Sequence, residues 1–140
     1  MTRKVRDFMS TKVVTLTPES TMDEAVALEM RMRIRHIPIL EGETLVGIVT
    51  DRDLKRAMPS LLTGTNREQH EQVMKSTKVG QIMTRSPLTT SPEAPLKDAV
   101  RILCEEKFGA LPVVDGKKLV GIITETDLLR AFLQALEREA

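Results

Sequence analysis

The sequence lacks tryptophan and tyrosine and has three phenylalanines among its 140 residues. Surfaces that bind single-stranded nucleic acid stack bases on aromatic side chains, so we do not expect such a surface here. Lysine and arginine number 21 and aspartate and glutamate 20, which leaves a formal net charge of +1. Because this balance provides no field that would steer nucleic acid or an anionic membrane, we expect neither as a partner.

Cysteine and long apolar runs are also scarce. Cys104 is the single cysteine, which excludes an internal disulfide or a cysteine-cluster metal site and suits a reducing cytoplasm. No apolar run approaches the length of a bilayer span, and the basic first residues lead into no signal-peptide core. Hydrophobic residues make up 41% and charged residues 29% of the chain, as is typical of a soluble globular protein. We therefore expect a cytoplasmic protein.

The chain contains an internal repeat. Residues 5–58 align without a gap with residues 79–132, and 18 of the 54 aligned positions are identical. The longest match is LVGIVTDRDLKRA against LVGIITETDLLRA. Since two copies are too few for a solenoid, we expect them to pack about a pseudo-twofold axis into one module. The predicted domains are a first repeat at 1–64 with the N-terminal segment, a linker at 65–76, and a second repeat at 77–140 with a C-terminal helix.

Each copy predicts the element order β-α-β-β-α, and therefore an α+β fold. A short extended piece at 13–16 or 88–90 precedes a proline, which stops a strand. A helix then begins at Thr21 through a T-x-x-E capping box, or near Pro95 in the second copy. Two β-branched runs around an acidic-Gly turn predict a hairpin that leads into a second helix. Inside the linker a helical turn is expected at 69–74.

The helices carry broad apolar arcs, for which two interpretations stay open: a two-sided internal core, or a homodimer face. The strip on the last helix consists of Leu128, Leu129, Phe132, Leu133 and Leu136. Glu29 interrupts the arc of the first helix at the position of Leu103 in the second copy, with Arg33 four residues later. This spacing indicates a solvated surface pair, which we favour, or an ion pair that sets dimer register. Cys104 is expected to be a small core residue.

A T-x-x-D segment stands between the last strand and the last helix of each copy, at Thr50 to Asp53 and at Thr124 to Asp127. The N–H groups of a first helical turn can hold a phosphate oxygen, and a carboxylate can accept two hydrogen bonds from a ribose diol. In the simpler alternative, the threonine caps the helix and the aspartate completes a capping box. The repetition of the spacing favours a binding site without deciding between the two.

The paired motif, with a proline and an acidic-Gly turn in the hairpin followed by L-V-G-I-(V/I)-T-x-x-D-L, resembles the CBS domain family. The resemblance covers both copies and implies a tandem module similar to free-standing bacterial pairs, including the acetoin-utilisation type. It implies a regulatory sensor that binds an adenosine-containing ligand (AMP, ADP, ATP or a relative) between the repeats, with a homodimer and a regulated protein as further partners. The alternative is a structural dimerisation or partner-docking module whose clefts stay empty.

The resemblance also implies ligand-binding residues. In chain order they are Arg35, His36, Ile37, Pro38, Thr50, Arg52, Asp53, Ala110, Leu111, Pro112, Thr124 and Asp127. The two aspartates would hold ribose hydroxyls and the two threonines would lie at the ribose or phosphate. The strand residues around the two prolines would form an apolar adenine slot.

An asymmetry between the two sites follows from the same resemblance. Arg35 and His36 would reach the phosphate of a ligand at Thr124 and Asp127, whereas Ala110 offers the other site no side-chain donor. Arg52 would compensate there in part. The second site is therefore expected to bind a charged nucleotide better, and the first to prefer a neutral adenosine moiety or stay empty. For His36, a plain position at a strand edge is the equally weighted alternative.

The sequence assembles no catalytic group. His36 and His70 are the only histidines, and no zinc-protease, nucleophile-elbow, P-loop or dinucleotide motif is present. We therefore expect a binding protein without catalytic residues, metal or cofactor, and not an enzyme.

Overall fold

The computed structural model describes residues 3–59, 64 and 66–139. The chain divides into two compact units. The first unit is Val14–Ser86, and the second unit combines Met1–Val13 with Pro87–Ala140. The expected boundary at residues 64 and 65 falls beside 60–63 and 65, which lie outside the described residues, so the domain limits stay a prediction.

The first unit contains three helices and three strands among its described residues. In chain order they are α1 (Met22–Met32), β1 (His36–Glu41), β2 (Thr44–Thr50), α2 (Asp51–Ala57), α3 (Arg67–Ser76) and β3 (Thr84–Arg85), with a 3-10 turn at Val79–Gln81 before β3. The second unit begins with a 3-10 turn at Val5–Asp7 and continues with α4 (Leu96–Glu106), β4 (Ala110–Asp115), β5 (Lys118–Thr124) and α5 (Glu125–Glu139). The predicted α+β class is confirmed.

Both predicted hairpins are present as antiparallel pairs, β1 with β2 and β4 with β5. The turn residues Gly42 and Gly116 have φ of 62° and 66°, in the left-handed region that only glycine adopts without a steric penalty. Both hairpins carry the same register shift, after Ile39 and after Val113. The repeat in the sequence is therefore a repeat in detailed backbone geometry.

The extended pieces before the prolines are much shorter than expected. Each reduces to a single parallel bridge, from Leu16 to Ile39 and from Thr90 to Val113. Leu16 N–H donates to the Pro38 oxygen at 3.2 Å, and Leu40 N–H donates back to the Leu16 oxygen at 2.9 Å. The first β element of each copy is therefore one residue pair, and the proline two residues later ends the extended backbone.

The first residues of each copy belong to the unit that contains the other copy's hairpin. Val5, at the start of the first copy, is fully buried in the second unit's core, and its equivalent Val79 is fully buried in the first unit's core. At the surface, Lys4 forms an ion pair with Glu93 at 2.7 Å, and Lys78 forms one with Glu19. These pairs connect each first segment to the rest of its unit. The two copies thus exchange their first segments, which a sequence alignment of the copies does not show.

The exchanged segments explain the glycine of the V-G-I motif. An added Cβ at Gly121 would lie 2.8 Å from the Ser10 backbone oxygen, and one at Gly47 would lie 2.9 Å from the Thr84 oxygen. Real Cβ atoms do not approach backbone oxygens this closely, so any side chain would push the segment away. The glycine therefore permits the backbone contact that attaches each exchanged segment.

Each unit has its own hydrophobic core. The first is built from Met22, Ala25, Ile37, Ile39, Val49, Leu54, Met74 and Val79. The second is built from Val5, Leu96, Ala99, Leu103, Leu111, Val113, Ile123 and Ala131. Full burial of one such side chain stabilises the fold by roughly 1.5–3 kcal/mol, so these cores position the hairpins and the helices that follow them.

The start of α1 differs from the prediction. Thr21 is the N-cap residue, but it forms no capping hydrogen bond, and the expected box with Glu24 is absent. The Thr21 hydroxyl instead donates to the Asp23 carboxylate, which also accepts the Glu24 N–H at 3.0 Å. The Asp23 carboxylate therefore takes both groups that the capping box would join to each other, the Thr21 hydroxyl and the Glu24 N–H.

The expected turn inside the linker is a complete ten-residue helix, α3. Asn66 accepts the Gln69 N–H at 2.8 Å and Gln69 accepts the Asn66 N–H at 3.1 Å, which forms a capping box. Met74 is buried and joins the first unit's core. Most of the predicted linker therefore belongs to the fold of the first unit.

The apolar arcs are buried only in part. Met22 and Ala25 on α1 and Ala99 on α4 lie in the cores, but Met30 is 76% exposed. Cys104 is also exposed, so the expectation that it is a core residue is wrong: the buried face of α4 consists of Leu96, Ala99 and Leu103, and Cys104 lies outside it. The strip on α5 is the largest apolar exposure, with Leu129 at 70%, Phe132 at 59%, Leu133 at 55% and Leu136 at 46%. Among the described residues, no helix has the length and apolarity needed to cross a membrane.

Candidate functional site

The expected site residues of each unit gather at the open end of its hairpin. The strand register sets His36 opposite Thr50, and Ala110 opposite Thr124. The first N–H of the following helix closes this end, since Asp51 N–H donates to the Arg35 oxygen at 3.0 Å. Glu125 N–H makes the same 3.0 Å bond to the oxygen of Gly109. Residues distant in sequence are thereby placed side by side, as the T-x-x-D hypothesis requires.

In the first unit the T-x-x-D segment forms a complete capping box at the start of α2. The Thr50 hydroxyl accepts the Asp53 N–H at 3.2 Å, and an Asp53 carboxylate oxygen accepts the Thr50 N–H at 3.0 Å. The simpler alternative from the sequence, a helix cap, is therefore present. It engages one oxygen of Asp53 and leaves the other without a hydrogen-bond partner among the described residues.

The second unit repeats this arrangement with a more buried carboxylate. Asp127 is only 4% exposed and accepts the Thr124 N–H at 2.8 Å and the Thr124 hydroxyl at 3.1 Å. Its other oxygen lies 3.4 Å from the exposed guanidinium of Arg130. A buried charged group needs such partners, so these contacts hold the carboxylate in a fixed position at the strand end.

The residues expected to form the adenine slot are deeply buried. Ile37 and Leu111 belong to the hydrophobic cores of their units, with 0% and 1% exposure. Pro38 and Pro112 are also fully buried. A ligand could touch Ile37 or Leu111 only through backbone atoms unless the core rearranged, and the role of these four residues stays a prediction.

Arg35 and Arg52 meet at one cavity in the first unit. The cavity has a volume of 490 Å³ and is lined by these two residues together with Asp51, Lys55 and Arg56. Neither Lys55 nor Arg56 was predicted from the sequence as a site residue. The sequence did contain a signal, since both residues follow the T-x-x-D segment closely within the next helix. At the equivalent positions the second copy has Leu129 and Arg130.

Glu29 does not form the expected pair with Arg33. Arg33 is the left-handed C-cap of α1, with φ of 56°, which takes its side chain off the helical i,i+4 position. One Glu29 carboxylate oxygen is buried and has no hydrogen-bond partner among the described residues. Burial and, secondarily, the negative charge of Asp51 raise the pKa of Glu29, while Lys55 and Arg35 act in the opposite direction. Both sequence interpretations of Glu29 as half of an ion pair with Arg33 are therefore wrong.

Within 3–59, 64 and 66–139 no group of three or more histidine, cysteine, aspartate or glutamate side chains is placed to hold a metal ion. Each unit contains one capping box and one buried strand segment, and the first unit also contains the basic cavity.

Comparison with known proteins places the chain in a family. The model of the CBS domain matches it twice, at residues 5–60 and 79–134. The chain belongs to the CBS domain family, as a tandem pair. A CBS domain-containing protein of Dictyostelium discoideum is 32% identical over 135 residues, which are 95% of this chain and 93% of the relative. YhcV of Bacillus subtilis is 32% identical over 124 residues, which are 89% of this chain and 81% of YhcV.

Solved structures of CBS pairs have the same fold. An acetoin utilization protein (AcuB) structure from Vibrio cholerae has a TM-score of 0.82 and 31% identity, with 99% of this chain and 96% of that chain covered. CBSX2 in complex with AMP has a TM-score of 0.78 and 34% identity, with 94% and 97% covered. The CBS pair of MJ0100, in complex with 5′-methylthioadenosine and S-adenosyl-L-methionine, has a TM-score of 0.79 and 26% identity, with 96% and 99% covered.

The same pair also occurs as part of larger enzymes. The chain spans 23% of a homoserine O-acetyltransferase from Methanococcoides burtonii and 24% of an inosine-5′-monophosphate dehydrogenase from Korarchaeum cryptofilum. In the relatives of similar length, by contrast, the pair makes up most of the protein.

Proposed function

We propose that this protein is a regulatory module that binds an adenosine-containing ligand, of the AMP, ADP or ATP type, and has no catalysis of its own. Two related CBS pairs support the ligand class, since CBSX2 binds AMP and MJ0100 binds 5′-methylthioadenosine and S-adenosyl-L-methionine. The enzymes that contain this pair are about four times its length, which leaves room for their catalysis in other domains.

The observation that carries the proposal is the buried carboxylate of Asp127 at the open end of the β4-β5 hairpin. Its hydrogen bonds with Thr124 fix it in place, and its second oxygen is held only by a 3.4 Å contact with the exposed Arg130. A ribose diol can supply two O–H donors to such a carboxylate, which would replace this weak contact with charge-assisted hydrogen bonds. In the first unit, one carboxylate oxygen of Asp53 has no hydrogen-bond partner within the described part of the chain.

The proposal includes a difference in AMP affinity between the two T-x-x-D motifs. We assign the Thr124 and Asp127 motif as the stronger AMP site. The assignment of Arg35 and His36 as its phosphate contacts stays a prediction.

Ligand binding regulates only when it changes an equilibrium between two arrangements of the protein, because a ligand with equal affinity for both shifts nothing. The exposed apolar strip on α5 supports a homodimer as the assembled form, since apolar strips of this extent on soluble proteins are typically covered by a partner. A regulated protein would then read the arrangement of the dimer. The single cysteine supports a reducing compartment such as the cytoplasm.

A second function, a structural dimerisation or docking module with empty clefts, is favoured by a specific observation. Both T-x-x-D segments form helix caps without a ligand. In that case the motif would have been retained for the stability of α2 and α5 alone, and the α5 strip would be the functional surface.

Thermal unfolding with a nucleotide panel distinguishes the two functions. A ligand at a hundred times its dissociation constant stabilises the native state by about 2.7 kcal/mol, which raises Tm by several degrees for a protein of this size. We expect AMP, ADP, ATP or S-adenosylmethionine to produce such a shift, with GMP as the control. If no adenosine compound raises Tm above the GMP control, the structural function is correct and the sensor function is wrong.

A further inference from the structure

The second unit takes its exchanged segment, residues 3–10, from a part of the chain that the whole first unit separates from the rest. Within this segment Val5 is fully buried, in the same core as Ile123 and Ala131. Ile123 directly precedes the T-x-x-D motif at 124–127, and Ala131 follows the motif by one turn of α5. The core that supports this motif is therefore incomplete without the exchanged segment.

Hydrogen bonds attach the exchanged segment on both sides of the motif. On the strand side, Ser10 and Ile122 form an antiparallel bridge with two backbone hydrogen bonds of 2.9 Å. On the helix side, the Arg3 guanidinium donates to the Ala131 oxygen at 3.4 Å. The segment thus contacts β5 and α5, the two elements between which the motif lies.

The other contacts of the segment are made with the residues before α4. The N–H groups of Val5 and Arg6 donate to the oxygens of Ala94 and Pro92, both at 3.0 Å. The ion pairs of the segment with Glu93 are solvent-exposed, so they contribute little to its attachment. Val5 is the one fully buried residue of 3–10. Truncation of Val5 therefore loosens the segment without altering any residue of the motif.

We infer that the exchanged segment positions the Thr124–Asp127 motif for its ligand, with Arg3 and Val5 as positioning residues. The inference rests on the proposed function and adds to it a control point outside the binding site. Because coupling between two binding events is reciprocal, a ligand that binds better when the segment is attached also holds the segment more firmly, by the same factor. Release of the segment lowers the affinity of the second site for its ligand.

The first unit supplies a matched control. Val79 is fully buried at the position equivalent to Val5, and its segment pairs with β2 through β3. Val5→Ala and Val79→Ala remove the same atoms from equivalent places in the two cores, so we expect comparable losses of stability. The two variants differ in which motif they loosen.

Amide hydrogen exchange, measured by NMR on the full chain, tests the positioning without a ligand. In Val5→Ala, the capping-box amides of Thr124 and Asp127 should exchange at least tenfold faster, relative to those of the first unit's capping box in the same protein. Val79→Ala should reverse this order. The inference is wrong if each variant changes both capping boxes by the same factor, since that would report only a global loss of stability.

Calorimetric titration of AMP tests the coupling to the ligand. The dissociation constant should rise at least fivefold in Val5→Ala and less than twofold in Val79→Ala. Arg3→Gln leaves the core intact and should raise the dissociation constant at least twofold. Lys12→Gln removes the same charge from an exposed position and should leave it unchanged. In the parent protein, AMP should slow the exchange of the Ser10 N–H.

Failure of this inference and failure of the proposed function give different results. If AMP binds the parent and all four variants equally, the positioning role is wrong and the sensor function stands. If AMP does not bind the parent, the sensor function is wrong and the coupling of the segment to a ligand is refuted with it. If Val5→Ala does not fold, the comparison of Arg3→Gln with Lys12→Gln decides in the same way.

Discussion

Replacement of Glu29 by glutamine should stabilise the protein at neutral pH. One carboxylate oxygen of Glu29 is buried without a hydrogen bond, and burial and Asp51 raise its pKa. An unsatisfied buried polar atom costs about 1–3 kcal/mol and a charged one more, so glutamine removes only the part of the cost that the charge adds. Because the rest of the carboxyl group is partly solvated and its interactions are screened, we expect Glu29→Gln to raise the free energy of unfolding by about 0.5–1 kcal/mol at pH 7.

The pH dependence gives the sharper test of Glu29. A carboxyl whose pKa is raised in the folded state contributes stability that is complete below its unfolded pKa and is lost as the pH rises through the folded pKa. The parent protein should therefore match Glu29→Gln near pH 4 and fall below it toward pH 7. Urea unfolding at several pH values measures this, with Glu24→Gln at an exposed position of the same helix as the control. A Glu29→Gln variant that is less stable than the parent at pH 7 would refute the reasoning, because it would mean that the charged form has a favourable partner.

Three further outcomes are expected. Gly121→Ala should destabilise the protein by roughly 1–3 kcal/mol in urea unfolding, because the added methyl group collides with the backbone of the exchanged segment; an unchanged midpoint would show that the segment is not held there. Asp127→Ala should cost about 1–2 kcal/mol through the lost helix cap, against no significant change for the exposed Asp115→Ala. In light scattering after size exclusion, Phe132→Glu should give monomers where the parent gives dimers, while Gln134→Glu on the other side of α5 should not; a monomeric parent would remove the proposed dimer.

Much of the fold could be predicted from the sequence because its signals are local. The β-branched runs around Gly42 and Gly116 determine the two hairpins, and the T-x-x-D spacing determines where α2 and α5 begin. The offset of 74 residues transfers each assignment from one copy to the other. These features depend on neighbours within a few residues, which periodicity and turn chemistry describe well.

The features that sequence reasoning missed depend on competition or on distant contacts. The alignment places Val5 at the start of the first copy but does not indicate whose core it joins. At Thr21 the Asp23 carboxylate binds both the hydroxyl and the Glu24 N–H that a capping box would join, and the T-x-x-E spacing rule takes no account of this carboxylate. Arg33 leaves the helical path in a left-handed conformation, so its spacing from Glu29 loses its meaning.

The candidate site was predictable in its residue types and less so in its groupings. The motif identified Thr124 and Asp127, but only the structure shows that Asp127 is a buried carboxylate with fixed partners. The basic cavity was missed because its members come from two elements, the residue before β1 and the outer side of α2.

Calorimetric titration of AMP into the parent protein and into Asp127→Asn tests the central claim most directly. The amide keeps the size of the side chain and one acceptor for the cap but removes the charge that would accept both ribose hydroxyls. We expect saturable binding to the parent and a dissociation constant at least tenfold higher for a variant that remains folded by circular dichroism. Equal affinity in the two proteins, or no AMP binding to the parent at millimolar concentration, would contradict it.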